Sequence, residues 1–175
     1  IPGDGIGKEV IAAGIEVLSS LAEKENFRLD FEAFDWSSER YLKTGAYIPD
    51  GGLEKLKTFD AIFFGAVGSP DVPDHISLWG LRLPICQGFD QYANVRPSRV
   101  LPGITSKLKG GDDIDWVIIR ENSEGEYSGS GGRVHKGLPE EAATDVSMFT
   151  RAGVARIMRF AFALARSRPR KLLTI

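Results

Sequence analysis

The chain has 175 residues, of which 42% are hydrophobic and 26% charged, the profile of an ordinary globular protein with room for a substantial core. Its net charge of -2 gives no general attraction to nucleic acid or to an anionic membrane, and no apolar stretch reaches membrane-spanning length. One cysteine, Cys86, excludes an internal disulfide and a two-cysteine metal motif, and fits a reducing compartment, expected to be the cytoplasm.

The chain opens on Pro2-Gly3-Asp4-Gly5-Ile6-Gly7-Lys8-Glu9, a glycine-rich turn feeding a helical pattern of Val10, Ile11, Gly14, Val17, Leu18 and Leu21. Such a turn can hold an anion on its amides, but the third glycine of the dinucleotide fingerprint would fall on Lys8. Residues 27–36 alternate as a strand does, 38–44 suit a short helix stopped by Gly45, and 53–57 suit a helical turn. The run 60–68, with no alternation, predicts a strand of a sheet covered on both faces. Ligands of such sheets bind beyond the carboxyl ends of the strands, where Gly65 to Pro70 falls. Pro73, Gly80 and Pro84 predict irregular structure over 71–88. Five glycines between positions 125 and 137 predict a turn or hairpin, and 142–149 suit a strand. Thr150 is placed to cap a helix that ends before Pro169. The last residues, 172–175, form an apolar β-like run with no turn after them, and only a stub precedes the first turn, so the chain is expected to be part of a longer protein.

The stretch with most chemistry is Val117-Ile118-Ile119-Arg120-Glu121-Asn122-Ser123-Glu124-Gly125-Glu126-Tyr127-Ser128. A short apolar run, 116–119, predicts a buried strand that ends abruptly in charge. Arg120 offers a planar fork of donors that matches a carboxylate, and Tyr127 a phenol able to give or take a proton. The plainer alternative is a surface turn in which Arg120 pairs with a nearby glutamate. Tyr92-Ala93-Asn94-Val95-Arg96-Pro97 makes a second apolar-to-arginine transition. Two strands each ending in arginine would supply the fixed cations that a dicarboxylate needs. A phenol needs a neighbouring cation to serve near neutral pH, and the sequence alone shows none beside Tyr127.

Taken in order, the glycine turn, the Tyr92–Pro97 segment and Arg120-Glu121-Asn122-Ser123-Glu124-Gly125-Glu126-Tyr127 resemble the markers of the isocitrate/isopropylmalate dehydrogenase family. Asp74-His75-Ile76-Ser77-Leu78-Trp79-Gly80 and Phe89-Asp90-Gln91-Tyr92 resemble its tartrate and D-malate dehydrogenase branch. The resemblance implies an α/β, isopropylmalate-dehydrogenase-like two-domain fold, here truncated to its first half. Residues 1–96 would begin the nucleotide-binding domain and 97–175 the second, substrate and dimerisation domain. It also implies NAD-dependent oxidation of a 2-hydroxy dicarboxylate, assisted by Mg or Mn, with or without decarboxylation, in a homodimer. By the same resemblance Arg96 and Arg120 grip substrate carboxylates and Tyr127 helps protonate the enol carbon. Ile6, Val67, Gly68, Ser69, Ser77, Leu78 and Trp79 line the nicotinamide pocket. The metal-binding aspartates are expected beyond Ile175, so no metal ligand is assigned in this chain, which by itself is expected to be inactive.

One position departs from the pattern. A further family arginine falls ten residues before Arg96, on Cys86, and a thiol cannot replace a guanidinium. Either the substrate makes fewer carboxylate contacts, or Arg82, one helical turn upstream, reaches the gap, or activity is lost. Cys86 as a buried packing residue is the plainer alternative. A non-catalytic or regulatory homologue, and isopropylmalate or isocitrate as substrate, remain the competing functional readings.

Overall fold

The computed structural model describes residues 1–175, which form two compact units, Ile1–Gly88 and Phe89–Ile175. In the first unit the glycine turn leads into helix α1 (Gly7–Glu25), which ends on Asn26 in the left-handed conformation at φ 55°. The turn lies along residues 65–66: the Asp4 N–H donates to the Ala66 carbonyl at 2.7 Å and the Gly65 N–H to the Ile1 carbonyl at 2.9 Å. Any side chain at Gly7 would collide with the Pro2 carbonyl and the Ala66 amide, so only glycine lets the two backbones approach.

Helix α2 (Ser38–Thr44) is capped by the Ser37 hydroxyl, which accepts from the Arg40 N–H, and stops at left-handed Gly45. Helix α3 (Gly52–Leu56) follows the 49–52 turn. Trp36, Tyr47, Leu56, Val72, Leu81, Leu83 and Ile85 are buried in the core of this unit.

Three expectations for the unit are corrected. Residues 27–36 are extended but join no ladder, and Phe27 and Phe31 stay exposed. Alternation supplies a face but not a partner strand, and only the end of the segment is gathered in, where Phe34 meets Trp36 and Phe59 with ring centroids 5.0 and 5.7 Å away. The 60–68 run is bridged at a single point, Gly3↔Ala66 in parallel, and Phe63 is exposed, so it is not covered on both faces. Within the chain it has one extended neighbour rather than two. Residues 74–88 are helical rather than irregular: α4 (Asp74–Ser77), a π-helical turn (Leu78–Arg82) and α5 (Leu83–Gly88) run on continuously. The Leu83 N–H bonds back to the Leu78 carbonyl, and this widened turn sits just before Pro84, which has no N–H to continue an ordinary one.

In the second unit β1 (Ala93–Arg99) and β2 (Asp115–Glu121) pair antiparallel, with Asn94 opposite Arg120 and Arg96 opposite Ile118. β3 (Gly125–Val134) and β4 (Ala142–Met148) pair antiparallel, so 142–148 is the expected strand, whereas most of the glycine-rich 125–137 stretch is a single strand rather than a turn or hairpin of its own. Helix α6 (Arg151–Ser167) follows, and Arg168 just after it holds the Asp115 carboxylate at 3.1 Å. Two further corrections apply here. Arg96 and Arg120 lie inside their strands rather than at the ends. The apolar run of β2 is not buried, since Trp116 and Ile118 are each 51% exposed on a ribbon of only two strands. Residues 172–175 join no ladder.

The start of α6 is tied to the turn before β3. The Thr150 hydroxyl accepts from the Gly153 N–H at 3.0 Å and donates to Glu124 at 2.6 Å, while the Thr150 N–H donates to the other Glu124 oxygen at 2.8 Å. Thr150→Ala should therefore destabilise the full-length protein by about 0.5–2 kcal/mol, the usual worth of an N-cap. Denaturant unfolding measures this directly, and an unchanged midpoint would show that the cap is dispensable.

Candidate functional site

Directly opposed residues of an antiparallel pair share a face, as do residues two apart on one strand. The observed register therefore puts Asn94, Arg96 and Arg120 on one face of the β1–β2 ribbon. Arg96 and Arg120 are diagonal neighbours there, at about 7–8 Å by ordinary sheet geometry.

Arg120 is engaged on both prongs. Its Nη1 donates to the Tyr127 phenol oxygen at 2.7 Å and its Nη2 to Glu126 at 3.0 Å, with the guanidinium carbon 5.0 Å from the Tyr127 ring centre. Two expectations meet here. The glutamate pairing held out as the plainer alternative is present, and Tyr127 does have a neighbouring cation, which reading along the chain did not find. Since Arg120 donates, the Tyr127 oxygen is the acceptor and its own proton is directed elsewhere. The Glu126 partner is 69% exposed, and exposed pairs are worth roughly 0–1 kcal/mol. A substrate carboxylate can therefore take its place at little cost.

The turn carrying the chain from Arg120 to Tyr127 is held much more firmly. Glu121, opposite Ala93 and so on the other face of the ribbon, accepts from the Ser123 N–H at 2.8 Å, the Ser123 hydroxyl at 2.7 Å and the Glu124 N–H at 2.6 Å. Partial burial pushes this carboxyl up, but the bonds from Ser123 and from the backbone outweigh it and hold the group below the usual glutamate range. Asn122, 4% exposed, donates to the Gln91 carbonyl at 3.0 Å and fixes the same turn to the start of β1. Arg156 of α6 completes the support, donating to Ser123 at 2.7 Å and to Asp90 at 2.8 Å while lying 4.6 Å from the centre of the Tyr92 ring. The sequence signal for these supports, a Glu-Asn-Ser run after an arginine, was on view without its meaning.

The remaining candidates lie in the first unit. Cys86 is a free, buried thiol on α5 beside Leu83 and Ile85, and Arg82 is half-buried at the end of the π-helical turn. Ile6 and Trp79 are large apolar side chains left 64% and 42% exposed. Nothing lies within 4 Å of where a Gly68 Cβ would stand, while Ser77 is buried and Val67, Ser69 and Leu78 are half-buried. No group of three or more His, Cys, Asp or Glu side chains is placed to hold an ion.

The fold mixes helix and strand, and its β1–β2 ribbon carries Arg96 and Arg120 on one face with the Tyr127 phenol on Arg120. The chain belongs to the isocitrate/isopropylmalate dehydrogenase family, which it matches over residues 1–175. It is 68% identical over 178 aligned positions to "Probable tartrate dehydrogenase/decarboxylase TtuC'" of Agrobacterium vitis, covering 100% of this chain and 50% of that one. It is 56% identical to "D-malate dehydrogenase [decarboxylating]" of Escherichia coli K12, covering 99% of this chain and 49% of the relative. Among solved structures, isocitrate dehydrogenase from Methylococcus capsulatus superposes with a TM-score of 0.77 at 29% identity, over 94% of this chain and 46% of that one. The chain thus has the α/β isopropylmalate-dehydrogenase-like fold, and it spans about half the length of the curated relatives it matches. No helix is long and apolar enough to cross a membrane.

Glu121 yields a pH prediction. Its lowered value in the folded state contributes stability above the ordinary glutamate range, and that stability is lost as the pH falls through the lowered value. Glu121→Gln should make the full-length protein less stable at neutral pH, and the gap to the parent should narrow under acid. Chemical unfolding at several pH values checks this; a gap independent of pH would mean that the charge of Glu121 contributes nothing.

Proposed function

We propose that the full-length protein oxidises a 2-hydroxy dicarboxylate of the tartrate or D-malate type with NAD, with or without loss of the β-carboxylate. The observation that carries the reading is the pair Arg96 and Arg120 on one ribbon face, with the Tyr127 phenol on Arg120. Arginine stays charged throughout the working pH range, and its fork fits a carboxylate. In this reading Arg96 and Arg120 orient the two carboxylates of the substrate, one of them displacing Glu126. Tyr127 delivers a proton to the carbon left by decarboxylation, and the Arg120 hydrogen bond stabilises the phenolate that results. NAD, when bound, supplies the hydride acceptor, its nicotinamide lying on Ile6, the Val67–Ser69 segment and Ser77, Leu78 and Trp79. No cluster of three or more His, Cys, Asp or Glu side chains in this chain is placed to hold the Mg or Mn ion expected from the resemblance.

The same reading assigns residues 1–96 to the nucleotide-binding domain and 97–175 to the second, and takes the working protein as a cytoplasmic homodimer whose isolated first half is inactive. Relatives named as tartrate and D-malate dehydrogenases support the choice of substrate class. Cys86, buried where the resemblance expects an arginine, favours a substrate with fewer carboxylate contacts than isopropylmalate or isocitrate. It also favours, as the second reading, a homologue that binds ligand without turning it over.

The test is NADH formation by the full-length protein, given NAD and Mg, on D-malate, tartrate, isopropylmalate and isocitrate. The first two should give the higher kcat/KM, and turnover of none of the four would favour the non-catalytic homologue. Arg120→Lys keeps the charge but loses the fork, which should lower kcat/KM roughly 10- to 150-fold, the worth of one bond to a charged group. An unchanged value would reduce Arg120 to the partner of Glu126.

A further inference from the structure

The first unit contains a chain of buried hydrogen bonds that the assigned site residues do not explain. It starts at Asp4, 8% exposed within the glycine turn. One carboxylate oxygen accepts from the Ser38 N–H at 2.7 Å; the other accepts from the Ser38 hydroxyl at 2.7 Å and from the Gly68 N–H at 2.9 Å. The Ser38 hydroxyl proton is thus committed to Asp4. The Tyr47 phenol, 2.7 Å from the Ser38 oxygen, is then the donor to Ser38. Burial pushes the Tyr47 phenol up, which keeps it protonated for that task. Gly80 rests against the ring, where a Cβ would lie 2.8 Å from Tyr47 Cδ2.

The two ends of this chain of bonds fall on the segments proposed to contact nicotinamide. Asp4 is two residues from Ile6 and holds the Gly68 amide; the Tyr47 ring lies against Gly80, the residue that follows Leu78 and Trp79. Gly68 has φ 147°, a conformation that side-chain-bearing residues rarely adopt, so its backbone depends on such an anchor. A buried carboxylate is tolerated only with its oxygens satisfied, and the three donors do that.

We propose that Asp4 and Tyr47 are positioning residues for the nicotinamide surface: the Asp4–Ser38–Tyr47 chain sets the spacing between the Gly68 segment and the Ser77–Gly80 segment. This rests on the reading of those segments as cofactor contacts. Neither residue touches the cofactor; each acts through the backbone that it holds. Asp4→Asn leaves one acceptor oxygen for three donors and turns an amide N–H toward another N–H. Tyr47→Phe keeps the ring under Gly80 but cuts the bond to Ser38.

The test uses the full-length protein and three readouts: NADH affinity by fluorescence titration, amide exchange without cofactor, and thermal unfolding. Tyr47→Phe and Ser38→Ala should fold yet bind NADH about two- to twelvefold more weakly, the span of a single hydrogen bond. Exchange should quicken at Gly68 in Asp4→Asn and at Leu78–Gly80 in Tyr47→Phe, while KM for the hydroxy acid at saturating NAD stays within about twofold. Should Asp4→Asn fail to fold, Tyr47→Phe and Ser38→Ala decide the matter. Folded variants that bind NADH as tightly as a parent that binds it would overturn this inference alone. A parent that binds no NADH would overturn the cofactor reading and this inference with it.

Discussion

The register of the β1–β2 ribbon is the constraint on which the candidate site depends. Side chains alternate along a strand, so a slip of one residue on β1 would send Arg96 to the face away from Arg120. The slip is opposed at both ends. At one, the Asn122 N–H donates to the Tyr92 carbonyl at 2.9 Å and its side chain to the Gln91 carbonyl. At the other, the Val100 N–H just after β1 donates to the Ile114 carbonyl just before β2 at 3.1 Å. Buried polar contacts of the Asn122 kind are costly to leave unmade, which makes them better register markers than the exposed apolar residues of the ribbon.

From that register the division of labour around Arg120 follows. Its pair with Glu126 is exposed and weak, whereas Glu121, Ser123 and the backbone of Glu124 form a compact set of bonds on the opposite face. The position of the guanidinium and of Tyr127 is thus set by groups that a ligand does not meet, and the one contact a carboxylate must replace is the cheapest. The first unit uses the same arrangement, with the buried Asp4 carboxylate beneath segments whose apolar side chains remain open.

Much of this was legible in the sequence, for identifiable reasons. α1, α2, α3 and α6 follow from helical spacing, from Gly45 and from the Thr150 cap, all of which are local signals. β4 follows from the pattern of 142–149, but the glycines of 125–137, which suggest a turn or hairpin, mostly lie within the single strand β3. What depends on a distant partner was misread. Residues 27–36 and 60–68 have strand patterns but lack ladders, because pattern cannot supply the neighbouring strand. Pro84 was read as a breaker, although a widened turn before it lets the helix continue. At the site, Arg96, Arg120 and Tyr127 were visible as residue types. Their shared face and the Arg120–Tyr127 bond were not, because both follow from a register and a turn fixed by Asn122 and Glu121. Asp4 looked like part of a glycine turn, and nothing local connects it to Ser38 or Tyr47, 34 residues and more away.

The most direct measurement is a crystal structure of the full-length protein with D-malate bound in the absence of cofactor. The account predicts one carboxylate within about 3 Å of the Arg120 guanidinium in place of Glu126, and the other at Arg96. Tyr127 should lie against the carbon skeleton between them. A ligand bound elsewhere, with Arg120 still paired to Glu126, would contradict it.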